Sequence, residues 1–261
     1  MSSGTDETRR YGILVSMLSR GKVEGSITPD EALEDSMEMC SRQELHFCPG
    51  FSSREEVIAT VRSTPYLWYS ERGLIHIVEQ EDGKERFREF SMKGEGRRHF
   101  DLVYDACLSL AREFLEKGYK PPLMLPTSRF NTGSLFPLGG KRSVEPDAIV
   151  ITRDERSESE FGYCTRAAIE AQRSGFEFLY GKLRKYREIN IRGERLFLLI
   201  VIPENLSEHL ESFRKRAGLM GFVEKANYSF RIKGRTEANN MNAFHESASS
   251  VTEFQERKNM L

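Results

Sequence analysis

Long apolar runs are missing from this chain. The longest, Leu196 to Ile202, falls far short of the roughly 20 residues needed to cross a bilayer, so no transmembrane helix is expected. The first residues after Met1 are also short of apolar side chains: Ser2-Ser3-Gly4-Thr5-Asp6-Glu7 lacks a signal-peptide pattern. Cysteine is scarce. The four, Cys40, Cys48, Cys107 and Cys164, include no CxxC pair. Cys40, His46 and Cys48 lie near one another, but their spacing fits no common structural zinc site and no fourth ligand is evident. The expectation is a cytoplasmic protein with reduced thiols. Neither sign of charge dominates: the net charge is -1, although charged residues make up 30% of the chain. Attraction to nucleic acid would therefore have to come from a local basic face, not from the chain as a whole. Internal repeats are absent as well.

At 261 residues the chain is long enough for one large domain or two modest ones. The residues before Thr8 read as a frayed terminus. Tyr11, Leu14, Val15 and Leu18 then recur at helical spacing, and Gly21 is placed to stop that helix. Thr28-Pro29-Asp30-Glu31 is a second helix start, with a capping threonine, a proline suited to the first turn and acids at the positive end of the dipole. Ser52-Ser53-Arg54-Glu55-Glu56 opens a third, which Pro65 ends. Strand-like pieces follow at Tyr66 to Tyr69, Leu74 to Val78 and Phe87 to Met92, separated by turns. Three helices and then a strand ribbon is the order of a winged helix, so residues 1–93 are expected to form a small winged-helix-like domain. Arg54 and Arg62 would meet phosphates there, although Glu55 and Glu56 make the third helix acidic.

Gly94 to Arg98 reads as a hinge. Beyond it, the pattern predicts a broad apolar helix from His99 to Lys117 and a short edge strand from Pro121 to Leu125. A Gly/Ser/Asn-rich loop, Thr127 to Ser143, carries Arg129, Lys141 and Arg142 but not the full spacing of a phosphate-cradling loop. Strand Ala148 to Ile151, strand Gly162 to Gln172, helix Phe176 to Ile189, strand Leu196 to Ile202, helix Ser207 to Arg216 and a strand near Tyr228 to Ile232 complete the order. Residues 97–234 are thus expected to form an α/β domain, a mixed sheet flanked by helices, and 235–261 a polar tail.

The chemistry gathers on two strands. Asp147 follows Pro146 at the head of a Val/Ile strand, while Glu170 and Gln172 share a face near the end of another. If those strands pair as a hairpin, Asp147 and Glu170 approach each other, and two close carboxylates repel unless a cation lies between them. Oxygen ligands of this kind suit Mg²⁺, which binds through one or two carboxylates, waters and substrate phosphate. Such an ion polarises a phosphoryl oxygen and activates water. Basic residues cluster in the sequence nearby: Arg166, Arg173, Lys182, Arg184, Lys185, Arg187 and Arg192.

Pro146-Asp147 and Glu170-Ala171-Gln172, within an α-β-β-β-α-β order, resemble the PD-(D/E)xK nuclease superfamily, in its ExQ variant. The resemblance spans about His99 to Arg216. It implies a restriction-endonuclease-like fold and a Mg²⁺-dependent DNA endonuclease, with Mn²⁺ as a substitute. It also implies Asp147 and Glu170 as metal ligands, the Ala171 carbonyl as a third, and Gln172 where the family carries lysine. Glutamine has no charge with which to balance a phosphate, so Lys182 or Lys185, three residues apart on the next helix, is the expected replacement. Arg142, Arg173, Arg184 and Arg187 are the expected DNA contacts, and Glu113 a candidate extra acid. The segment from Pro146 to Tyr186 also resembles plasmid replication-relaxation proteins, which place a helix-turn-helix domain before a nuclease-like fold. A DNA-binding protein whose nuclease fold no longer cuts is the rival expectation. Cutting both strands would call for a homodimer.

Overall fold

A computed structural model describes residues 3–22, 25–42, 47–78, 97–126, 144–153, 166–191, 196–224 and 226–233. In chain order the elements are α1 (Ser3–Ser19), β1 (Ser26–Ile27), α2 (Pro29–Ser41), α3 (Arg54–Arg62), β2 (Leu67–Tyr69), β3 (Ile75–Ile77), α4 (Arg97–Glu116), β4 (Leu123–Pro126), β5 (Ala148–Ile151), β6 (Arg166–Ala171), α5 (Glu177–Ile191), β7 (Leu196–Ile202), a 3₁₀ helix (Glu204–His209), α6 (Leu210–Leu219) and β8 (Tyr228–Ile232). The fold is mixed α/β, with a three-stranded antiparallel sheet of order β1-β3-β2 and a five-stranded mixed sheet of order β4-β5-β6-β7-β8. The expected strand Phe87 to Met92, the loop Thr127 to Ser143 and the tail 235–261 lie outside the described residues. Two compact units divide the chain: Met1–Glu95 with Cys107–Leu135, and Gly96–Ala106 with Phe136–Leu261.

In the first unit, α2 begins as its sequence predicts. The Thr28 hydroxyl accepts from the Glu31 backbone N–H at 3.1 Å, and the Glu31 carboxylate accepts from the Thr28 N–H at 2.8 Å, a reciprocal capping box. The helix buries Asp35, which the Ser16 hydroxyl and the Arg20 guanidinium satisfy from α1 and just beyond it. Such a buried charge persists only because it is paired. Gly21 ends α1's turn at φ +66, a conformation that side chains disfavour. One expectation is corrected here, and one element has no counterpart in the sequence pattern. Helix α1 starts at Ser3 and not near Thr8, since a polar segment with Asp6 in the first turn suits a helix N-terminus. Strand β1 is only two residues long, too short to show any alternation in sequence.

A second correction concerns the thiols. Cys40 and Cys48 form a disulfide, so they are neither reduced nor available as thiolate ligands for zinc. His46 lies outside the described residues. Cys107 is a free, buried thiol. The disulfide ties the end of α2 to Cys48, and the next residue, Pro49, covers Gly12 of α1. A Cβ built on Gly12 would sit 2.4 Å from Pro49 Cγ and 2.6 Å from its Cβ. The proline ring cannot swing aside as a flexible side chain would. Gly12→Ala should therefore destabilise the first unit by about 1–3 kcal/mol despite alanine's better helix propensity, which a urea titration would measure; an unchanged midpoint would contradict this packing.

In the second unit, β7 is apolar throughout (Leu196 to Ile202) and every residue is buried. That composition is expected of a central strand covered on both faces. Strand β6 pairs antiparallel with β5 and parallel with β7, and β8 runs parallel on the far side of β7. Phe213 of α6 meets Phe176 (4.7 Å), Phe230 (5.2 Å), Tyr180 (5.5 Å) and Tyr228 (5.6 Å), ring centre to ring centre. Arg216 of α6 stacks over Tyr180 at 4.0 Å. These contacts hold the first turns of α5 and so set the height of the residues it presents further along. The helix expected from Ser207 divides after Pro203 into the 3₁₀ turn and α6, which runs on to Leu219.

Candidate active site

The pairing Ala148↔Ile169 sets the register of β5 on β6. The regular ladder stops there: the Asp147 N–H donates at 2.9 Å to the carbonyl of Ile169, the residue already paired with Ala148, so Asp147 sits just outside the register, beside the end of β6. Pairing of β5 with β6 thus brings Asp147 against the backbone on either side of Glu170, at Ile169 and Ala171.

Each is held by named donors. The Ala171 backbone N–H donates to Asp147 Oδ2 at 2.8 Å, and His99 Nε2, near the start of α4, lies 3.2 Å from Asp147 Oδ1. Glu170 is fully buried. Lys182 Nζ donates to Glu170 Oε2 at 2.6 Å and to the Glu145 carbonyl at 3.0 Å, while the Tyr186 hydroxyl donates to Glu170 Oε1. Lys182 and Tyr186 are four residues apart on α5 and share a face, which is why both reach one carboxylate.

Proton affinities diverge accordingly. Burial, and next the charge of Asp147, push Glu170 up to about 8 against the opposing pull of Lys182 and Tyr186. Burial acts on Asp147 in the same sense, but the His99 hydrogen bond, the charges of Lys182 and His99 and the Ala171 N–H together hold it below the usual carboxylate range. Burial, and then the Glu170 charge, raise Tyr186 well above the ordinary phenol value. Two carboxyl groups with opposed proton affinities is a pattern seen at reactive sites and in structural ion-pair networks alike.

No protein-family model, curated protein or solved structure matches this chain.

Of the residues expected from sequence, Asp147, Glu170, the Ala171 backbone and Lys182 come together. Because a strand residue's N–H and C=O point to the same side, the Ala171 carbonyl also faces the Asp147 edge. Gln172 is buried and its N–H extends the sheet to the Val201 carbonyl at 2.8 Å, but the contacts linking the two acids run through Lys182, Tyr186, His99 and the Ala171 N–H. Lys185 is exposed, whereas Lys182 meets Glu170. Arg173, Arg184 and Arg187 are exposed, Arg166 is half-buried, and Arg142 and Arg192 lie outside the described residues. Glu113 belongs to the first unit, where its carboxylate accepts from Ser109 at 3.5 Å. In the first unit, Arg54 lies 3.6 Å from Asp30 and Arg62 stacks 5.9 Å above Tyr69, and the Glu56 carboxylate is taken up by Arg9 and Ser52.

His99 and Tyr186 were missing from the sequence reading. Tyr186 had a signal, its four-residue spacing from Lys182. His99 had none, since 48 positions separate it from Asp147.

A pH dependence follows. Folded Glu170 keeps its proton up to about 8, while an unfolded glutamate releases it near 4.5. Between those values the folded state binds more protons, so this group's contribution to stability is complete below about 4.5 and is lost as pH rises through about 8. Asp147, already ionised there, adds no slope. The loss is on the order of a few kcal/mol. Glu170→Gln should flatten it, as urea unfolding of both proteins between pH 5 and 8.5 would reveal; parallel curves would refute the assignment.

Proposed function

We propose that the second unit is a divalent-metal-dependent phosphodiesterase acting on DNA, a Mg²⁺-dependent endonuclease that also accepts Mn²⁺. The observation that carries the reading is the gathering of Asp147, on the Ala171 N–H, and Glu170, on Lys182, at neighbouring ends of β5 and β6. The donor set fits such an ion: both side chains offer hard oxygens, the Ala171 carbonyl faces the same edge, and the charge of Asp147 beside the buried Glu170 creates a field that favours a cation. Among the described residues no group of three or more His, Cys, Asp or Glu side chains is placed to hold a metal, so the remaining positions would fall to water and substrate phosphate, as is usual for Mg²⁺.

When bound, the ion would polarise the phosphoryl oxygen and lower the pKa of the attacking water. The chain's own residues have separate tasks. His99 and the Ala171 N–H orient Asp147. Tyr186 fixes Glu170. Lys182, partly exposed, is the cation that stands in for the lysine absent at position 172 and meets the phosphate charge. Arg173, Arg184 and Arg187 supply exposed positive charge for the DNA backbone, a contribution that salt should weaken. The superfamily resemblance supports this reading through the order α4-β4-β5-β6-α5-β7. For the first unit we propose a winged-helix DNA-binding module, supported by the order α1-β1-α2-α3-β2-β3 and the β1-β3-β2 sheet.

A second reading has its own support. Lys182 and Tyr186 occupy both Glu170 oxygens, which also fits a structural ion pair in a nuclease fold that binds DNA without cutting it. Supercoiled plasmid incubated with the protein and Mg²⁺ or Mn²⁺ separates the two. Metal-dependent nicked or linear product that chelation and Glu170→Gln abolish supports the endonuclease. Salt-sensitive binding of plasmid with no product in either metal supports the binding protein. For membranes, no helix among the described residues is long and apolar enough to cross one.

A further inference from the structure

We propose that Lys182 is a built-in placeholder for the divalent ion: its ammonium occupies the cation position between the strand ends, and metal entry moves it from Glu170 toward the phosphate. The inference rests on the metal-site reading above and concerns what that site holds before metal arrives.

Three observations carry it. The Lys182 ammonium bridges the Glu145 carbonyl (3.0 Å), two residues before Asp147, and Glu170 Oε2 (2.6 Å). It therefore draws on hard oxygens from both sides of the site, a carbonyl in the segment leading into β5 and the carboxylate of β6. Its charge also acts on Asp147, so one ammonium serves both acids. Finally, the holds on the acids are divided between groups. Tyr186 keeps Glu170 Oε1, and His99 and the Ala171 N–H keep Asp147, by contacts of their own.

Consequently, one donor can leave while the carboxylates stay in place. The Lys182 side chain is 32% exposed, whereas Glu170 is fully buried, so the ammonium has a path outward and the carboxylate does not. A four-carbon stem with a mobile head suits such a transfer, where a fixed guanidinium fork would resist it. Ammonium and metal compete for Glu170 Oε2, so removing the ammonium must tighten metal binding. An ordinary structural lysine would predict the reverse, because its loss would leave Glu170 less well held.

The test is calorimetric titration of the full chain with Mn²⁺ alone, without DNA. Lys182→Met keeps the stem and removes the charge. It should bind Mn²⁺ on the order of tenfold more tightly than wild type, the weight of one charge-assisted contact. Lys185→Met, which makes the same charge change at an exposed site on the same helix, should shift affinity less than about twofold. Lys182→Arg should weaken binding. Equal tightening in Lys182→Met and Lys185→Met would mean a diffuse field and would overturn the placeholder, as would unchanged or weaker binding in a Lys182→Met protein whose thermal melt remains cooperative. Mn²⁺ binding by wild type with no gain in Lys182→Met sinks the placeholder alone. No Mn²⁺ binding by wild type or any variant sinks the metal-site reading and the placeholder with it.

Discussion

The Asp147→Asn protein is expected to stay folded and to lose metal-dependent DNA cleavage, by roughly 10²- to 10³-fold or more. Asparagine is nearly isosteric, and its side-chain carbonyl can still accept the Ala171 N–H that now reaches Asp147 Oδ2 at 2.8 Å. The backbone N–H of residue 147 would keep its bond to the Ile169 carbonyl, so the register of β5 on β6 would survive. What disappears is the charge. Asp147 is the acid of the pair held below the usual carboxylate range, and hence the one ionised without metal present. Its negative charge is also the second cause, after burial, of the raised proton affinity of Glu170. Neutralising it should therefore bring Glu170 down while weakening attraction for a divalent ion. The informative comparison is plasmid cleavage at several Mg²⁺ concentrations beside a melting curve. Cleavage at wild-type rate by a folded Asp147→Asn protein would remove the site from contention.

Phe213→Ala should be the most damaging single change to the second unit, costing about 3–5 kcal/mol. Phe213 is fully buried and meets four other aromatic rings, two from the α5 region and two from β8. Truncation forfeits both the buried area and those ring contacts, and α6 and β8 are each tied elsewhere, so collapse around the gap is limited. Loss should extend beyond stability. Tyr180 and Phe176 locate the start of α5, and Lys182 and Tyr186 lie on the same helix, so a loosened α5 degrades the hold on Glu170. Chemical denaturation should show the drop. Hydrogen exchange should place the increased opening in α5 and α6; a loss under about 1 kcal/mol would mean that the cluster contributes little.

Much of the architecture is legible in the linear pattern because its signals are local. Thr28-Pro29-Asp30-Glu31 starts α2 by bonds within one turn, and the β7 run from Leu196 to Ile202 has no other plausible place than a covered strand. The strand bounds at Ala148 to Ile151 and Tyr228 to Ile232 follow from the same logic. Short elements were harder to read. β1, at two residues, exists only because β3 offers partners, and the Cys40–Cys48 bond depends on where α2 ends relative to Pro49.

The candidate site divides in the same way. Sequence by itself determined the residue types and their elements: an acid before β5, an acid late in β6, and a basic helix after them. Only the tertiary structure decided which of them meet. Pairing of β5 with β6 put Asp147 on the Ala171 N–H, next to Glu170, and the helical phase of α5 turned Lys182 toward Glu170 and left Lys185 exposed. His99 reached Asp147 from far earlier in the chain, a meeting no local pattern encodes. The physical reason is range: capping, periodicity and strand composition act over a few residues, whereas a buried ionic cluster is assembled from separate elements by their packing.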